Sequence, residues 1–113
     1  MAYKLAVEDI VCVTVKGKLP GATKGAVKTF DFTIDMRRDE QEELNAAMAS
    51  GAAIADFIVE RASAWAKQRL VLNEDGSPAE FCEAALREMM KIPGMAVFIY
   101  RAYLNDVGVQ EKN

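Results

Sequence analysis

Apolar side chains recur at every second position in the first third of the chain and at helical spacing after that. In Ile10–Val15, Val11, Val13 and Val15 share one face. Between Val27 and Met36, Phe30, Phe32, Ile34 and Met36 alternate with Thr29, Asp31, Thr33 and Asp35. A period of two with one polar side is the pattern of antiparallel strands that keep one face wet. The intervening Lys16–Gly25 is rich in turn formers and predicts a long, flexible connection. These signals predict an N-terminal hairpin of two to three strands. Such a ribbon is marginal alone, so its apolar face must rest on the helices that follow.

Four helices are predicted beyond the hairpin. Asp39-Glu-Gln-Glu42 has the form of a capping box with Asp39 as the N-cap. The helix it opens points Leu44, Ala47 and Met48 inward and stops near Ser50-Gly51. Ala52–Gln68 is the clearest amphipathic segment. Ile54, Phe57, Ile58, Ala62 and Trp65 lie on one stripe, with Asp56, Glu60, Ser63 and Lys67 opposite. Asn73–Pro78 is a turn, and Ser77-Pro78-Ala79-Glu80 reads as the start of a third helix. In that helix Phe81, Cys82, Ala85, Leu86, Met89 and Met90 fill one half-circle, and Glu83 and Arg87 form an i,i+4 pair on the other. Pro93-Gly94 then introduces a segment with a different character. From Ile92 to Leu104 the only charge is Arg101, and apolar side chains point in every direction. A helix of this kind must be covered by its own domain, a membrane or another protein. At about 13 residues it is too short for a bilayer, which needs ~20.

The fold class expected is α+β, with the hairpin packed on a four-helix C-terminal part. The 113 residues fit one domain: a hairpin region (1–36), a helical region (39–106) and a flexible tail (107–113). The chain is 51% hydrophobic and 27% charged, an ordinary globular balance. Its net charge of −3 and scattered lysines argue against a nucleic-acid partner. Acids interrupt the first apolar run, which therefore reads as no signal peptide, and no segment reads as a membrane span. Cys12 and Cys82 have no partner spacing and fit reduced thiols in a cytoplasmic protein.

Histidine is absent, which removes the commonest general base and most zinc and iron sites. No phosphate-binding glycine motif occurs, and the acidic clusters fit a helix start and a turn better than a catalytic pair. The expectation is a protein that is not an enzyme and holds no cofactor or metal. Its candidate partner-binding residues are Trp65, Met89, Met90, Phe98, Tyr100 and Tyr103. Trp65 also fits the core, as do Phe57, Ile58 and Phe81. Methionines adapt to varied targets, and the two tyrosines are expected partly exposed because a phenol seeks water or a hydrogen-bond partner. Arg101 is expected to reach solvent.

The order of these signals also has a counterpart. Phe30-x-Phe32-x-Ile34 precedes Arg37-Arg38, and Asp56-Phe-Ile-Val59 runs into Trp65. Asp75-Gly-Ser-Pro78 stands before Phe81, and Leu86 to Met90 leads through Pro93-Gly94 to Ala102-Tyr103. This ordered set, from Phe30 to Leu104, resembles the tail assembly chaperones of long-tailed, siphophage-type bacteriophages. Two features depart from it: Trp65 is followed by Ala-Lys-Gln-Arg rather than glycine, and the Gly17–Gly25 loop has no counterpart. The resemblance implies a protein of the infected bacterial cytoplasm that is absent from the mature virion. It would bind the tape measure protein, keep it soluble while tail tube subunits polymerise around it, and then leave. In that family a longer form made by ribosomal frameshifting is common. Two other readings stand beside it: a structural tail completion or head–tail joining protein, and a small carboxylate-based enzyme or ligand-binding module. The terminal apolar helix could also pair with a copy of itself in a homo-oligomer.

Overall fold

The computed structural model describes residues 2–51 and 53–110. Its elements in chain order are β1 (Ile10–Pro20), β2 (Val27–Arg37), α1 (Gln41–Ser50), α2 (Ile54–Arg61), β3 (Ala62–Ala66), α3 (Glu83–Met89) and α4 (Met95–Val107). The strands form one antiparallel sheet in the order β1-β2-β3. The architecture is α+β with an N-terminal hairpin, as the sequence predicts. One sheet face supplies Val13, Val15, Phe32, Ile34 and Met36 to the core, where they meet Phe57, Ile58, Leu86, Met89, Met95, Ile99 and Tyr103 from the helices. The alternation of the two strands is thus read directly as inside and outside. Among the described residues, no helix is long and apolar enough to cross a membrane.

Five local expectations are corrected. The ladder continues without a break from Ile10↔Arg37 to Pro20↔Val27, so most of the supposed loop at Lys16–Gly25 is strand. Lys16 and Lys18 point to water while Gly17 and Leu19 are half-buried, which prolongs the two-residue period. Only the tip turns, closed by the Gly21 N–H donating to the Ala26 carbonyl at 2.7 Å. Gly17 has a steric reason: a Cβ there would lie 2.6 Å from Phe30 Cζ and 3.0 Å from Phe98 Cζ.

The expected helix over Ala52–Gln68 ends at Arg61 instead; its first residue, Ala52, lies outside the described residues. Ala62–Ala66 joins the open edge of β2, with Trp65 opposite Ile34 and a bulge near Ser63, between the Asp35↔Ala64 and Met36↔Ala62 pairs. Alanine favours helix locally, but a strand here satisfies backbone groups on the β2 edge that would otherwise lack partners. It also lets the Trp65 indole N–H donate to the Ala79 carbonyl at 3.1 Å.

α3 begins at Glu83, later than the proline start at Ser77-Pro78 suggests, and Cys82 is its N-cap. Residues 78–82 stay out of the helix because Pro78 bridges Leu72, while Ala79 takes up Val71, Gln68 and Trp65. In α1 the N-cap is Glu40, whose N–H is met by the Glu43 carboxylate at 3.0 Å. Asp39 turns into the core instead. Finally, α4 extends through Val107, where the flexible tail was expected to begin; residues 111–113 of that tail lie outside the described residues.

Candidate functional site

α4 answers the question its composition raises by dividing itself. Met95, Ile99 and Tyr103 recur at the spacing of one helix face and are fully packed on the sheet and α2. The opposite face stays open: Val97, Phe98 and Arg101 are exposed, and Tyr100 and Leu104 half-buried. An apolar helix with one side covered leaves a hydrophobic strip toward solvent. Such strips mark interaction surfaces when they continue into neighbouring elements.

This strip continues on both flanks. On one side α1, α2 and α4 enclose a cleft of about 210 Å³ lined by Ala47, Met48, Ile54, Phe57 and Tyr100. Its floor is aromatic: the Phe57 ring meets Tyr100 edge-on at 5.2 Å and Tyr103 at 5.7 Å. Its wall is α1, which has no buried residue; Leu44 and Ala47 are half-buried and Met48 is 57% exposed. A short helix held by so little burial can shift at small cost, and Gly51 at its end adopts the left-handed conformation (φ 70°). On the other flank Phe98, 40% exposed, stacks edge-on against Phe30 at 5.7 Å over Gly17. No carboxylate lines the α1–α4 cleft.

The site is positioned by a buried polar knot. Arg61 reaches Asp39 Oδ2 through Nε at 2.9 Å and Nη2 at 2.7 Å, and its Nη1 donates to the Phe57 carbonyl at 2.9 Å. The guanidinium also lies 3.6 Å over the Phe57 ring, a cation–π contact. Arg37 Nε donates to Asp39 Oδ1 at 3.2 Å. Tyr103 completes the knot: its hydroxyl donates to the Arg37 carbonyl at 2.8 Å and accepts from the Asp39 N–H at 3.1 Å. Burial pushes the Tyr103 phenol above its ordinary range, and the nearby Asp39 charge adds to this. Among the described residues no buried side-chain nitrogen or oxygen lacks a partner, so the knot serves as a structural clamp joining β2, α2 and α4.

The predicted partner residues therefore separate. Phe98 and Tyr100 lie on the open strip and in the cleft. Met89 and Tyr103 do not: both are fully buried. Met89 faces the core from the last turn of α3, and the Tyr103 hydroxyl finds its partner inside the protein. Met90 is half-buried against the core. Trp65 belongs elsewhere, packed edge-on against Phe81 at 5.3 Å in β3. Phe57 and Ile58 are core, as expected, and Arg101 reaches solvent.

Met48, read as inward-facing, is instead exposed and lines the cleft together with Ala47 and Ile54, which also pack against the core. The available signal was the poverty of α1: Leu44 and Met48 are its only large apolar side chains in ten residues, too few for a buried face. Cys12 and Cys82 are free and exposed. Among the described residues, no group of three or more cysteines and carboxylates is placed to hold a metal ion. Comparison with protein families, with curated proteins and with solved structures finds no match to this chain.

Proposed function

We propose that this chain is a tail assembly chaperone of a long-tailed bacteriophage, acting in the cytoplasm of the infected or lysogenic host. It holds helices of the tape measure protein in solution until tail tube subunits, competing for the same helices, displace it. The ordered motifs from Phe30 to Leu104 motivate the family. The observation that carries the mechanism is the half-covered α4, whose open apolar side leads into a cleft with a loosely held wall.

Helix-in-groove docking draws affinity from a few anchors spaced at i, i+3, i+4 and i+7, and it is readily reversible. Met48 at the lip adapts to different incoming side chains. Tyr100 offers an aromatic body with a polar tip. The net charge of −3 favours solubility of a complex that brings two apolar surfaces together. The role needs no catalytic group.

Co-expression with a helical tape measure fragment tests the reading. The fragment should move from the insoluble to the soluble fraction and co-purify with the chaperone. A fragment that stays equally insoluble refutes it. Recovery of the chain from purified virions by mass spectrometry would instead favour a structural tail completion or head–tail joining role.

A further inference from the structure

Residues 2–9 precede β1 and belong to no helix or strand. In this arm Tyr3, Leu5 and Val7 are 94%, 61% and 52% exposed. Lys4 stands near its start, and the acids Glu8 and Asp9 follow directly on Val7. An apolar segment left in water marks a contact surface. Its root is fixed: the Asp9 carbonyl accepts from the Arg38 N–H at 2.7 Å, just beyond the Ile10↔Arg37 pair at the open end of the ladder.

A surface of complementary character lies toward the other end of the same ladder. Leu19 and Phe30 of the hairpin, with Pro93, Met95 and Phe98 around the start of α4, line a pocket of about 200 Å³. Lys18 is the only charged residue in its lining. Lys28 pairs with Leu19, so it shares the sheet face of Phe30, two positions on, and Lys24 stands in the turn. No acid occurs between Gly17 and Phe30. Among the described residues Lys18, Lys24 and Lys28 form no ion pair, and neither do Glu8 and Asp9. An apolar pocket rimmed by free lysines suits an apolar side chain that has acids beside it.

We propose that the arm of one copy of this chain docks in the hairpin pocket of a second copy. Leu5 and Val7 supply the apolar anchors, and Glu8 and Asp9 lie toward the lysines of the rim. A chain's own arm does not reach. Eight residues of strand part Ile10 from Lys18, roughly 26 Å, whereas Leu5 lies at most about 18 Å of extended chain from Ile10. The molecule measures 60 × 32 × 27 Å, and the arm's root and the pocket lie toward opposite ends of its hairpin. One contact therefore joins two different surfaces and leaves a free pocket on one copy and a free arm on the other.

Sedimentation of the full chain over a range of concentrations tests this, and it stands apart from the chaperone reading because no tape measure helix is present. The wild-type chain should self-associate, and more weakly as salt is raised, because the charges around the pocket are exposed. Leu5→Asp with Val7→Asp alters only exposed side chains and should weaken association about a hundredfold or more. Leu19→Asp in the pocket should weaken it about tenfold or more. Mixed together, the arm variant and the pocket variant should form one-to-one pairs, because each keeps the surface the other has lost. Lys18→Glu with Lys28→Glu repeats the pocket test without touching apolar packing and should cost about tenfold. A chain that remains monomeric throughout overturns the proposal. So does unchanged association of the Leu5/Val7 variant, and so does a mixture that associates no more than either variant alone.

Discussion

Arg61 and Asp39, 22 positions apart in the chain, form a buried ion pair in which two guanidinium nitrogens converge on one carboxylate oxygen at 2.7 and 2.9 Å. The pair joins the last turn of α2 to the short link between β2 and α1. Tyr103 locks α4 to the same point through the Arg37 carbonyl and the Asp39 N–H. The floor of the apolar cleft, Phe57 and Tyr100, is therefore held by polar contacts lying just beneath it. The outer parts, α1 and the exposed face of α4, have no comparable restraint.

Removing one partner of this pair should cost far more than removing both. Arg61→Met leaves the Asp39 carboxylate buried with only the half-exposed Arg37 against it, and should destabilise by about 3–5 kcal/mol. Asp39→Asn with Arg61→Met should recover a substantial part of that loss. Urea denaturation of the two single variants and the double variant measures the coupling; a loss below ~1 kcal/mol for Arg61→Met would mean that the pair behaves as an exposed one.

Tyr103 predicts an alkaline limit to stability. Its phenol is pushed up from an ordinary value near 10, so the folded state favours the neutral form. The contribution is complete below the unfolded pKa, fades as pH rises above it, and is lost once pH passes the folded pKa. Tyr103→Phe removes two hydrogen bonds and leaves the Asp39 N–H and the Arg37 carbonyl without this partner, for a loss of about 1–3 kcal/mol near neutrality. Thermal unfolding from pH 7 to 11 should show the gap between wild type and variant narrowing above pH 10. A constant gap would contradict the assignment.

How far the sequence foretold this arrangement depends on where each residue's partner lies. The hairpin was legible because alternation from Phe30 to Met36 is a local consequence of a one-sided sheet. β3 was hidden because Ala62–Ala66 takes its conformation from the edge of β2, and alanine alone favours helix. No spacing in the sequence links Arg61 to Asp39, which lies 22 positions away. Tyr103 was expected to need water because its actual partner is a carbonyl 66 positions upstream. The apolar character of α4 was plain, but which half is covered follows from how β1, α2 and the sheet surround it.

Gly17 should be intolerant of any side chain while Phe98 and Phe30 are present. Its missing Cβ admits both rings over the strand. Gly17→Val should destabilise by about 1–3 kcal/mol and displace Phe98 from its 5.7 Å edge-on contact with Phe30. Combining it with Phe98→Ala removes one of the two obstructing rings, so the second substitution should cost less in the Gly17→Val background than alone. Strictly additive losses in equilibrium unfolding would show that the rings can yield without strain.

The division of the apolar residues into clamp and open surface gives the sharpest separation of stability from binding. Met48→Asp and Val97→Asp change exposed positions and should each alter stability by no more than about 0.5 kcal/mol. Together they place two charges on the lip of the cleft and the open face of α4, where an incoming apolar helix would have to desolvate them. Solubilisation of a tape measure fragment should fail. Met89→Ala acts in the opposite way: it opens a cavity in the core and should cost about 2–5 kcal/mol, yet whatever protein remains folded should still hold the fragment. Fractionation of co-expressed lysates, read beside unfolding curves for each variant, distinguishes the two. Normal solubilisation by the doubly charged variant would show that this surface is not where the helix docks.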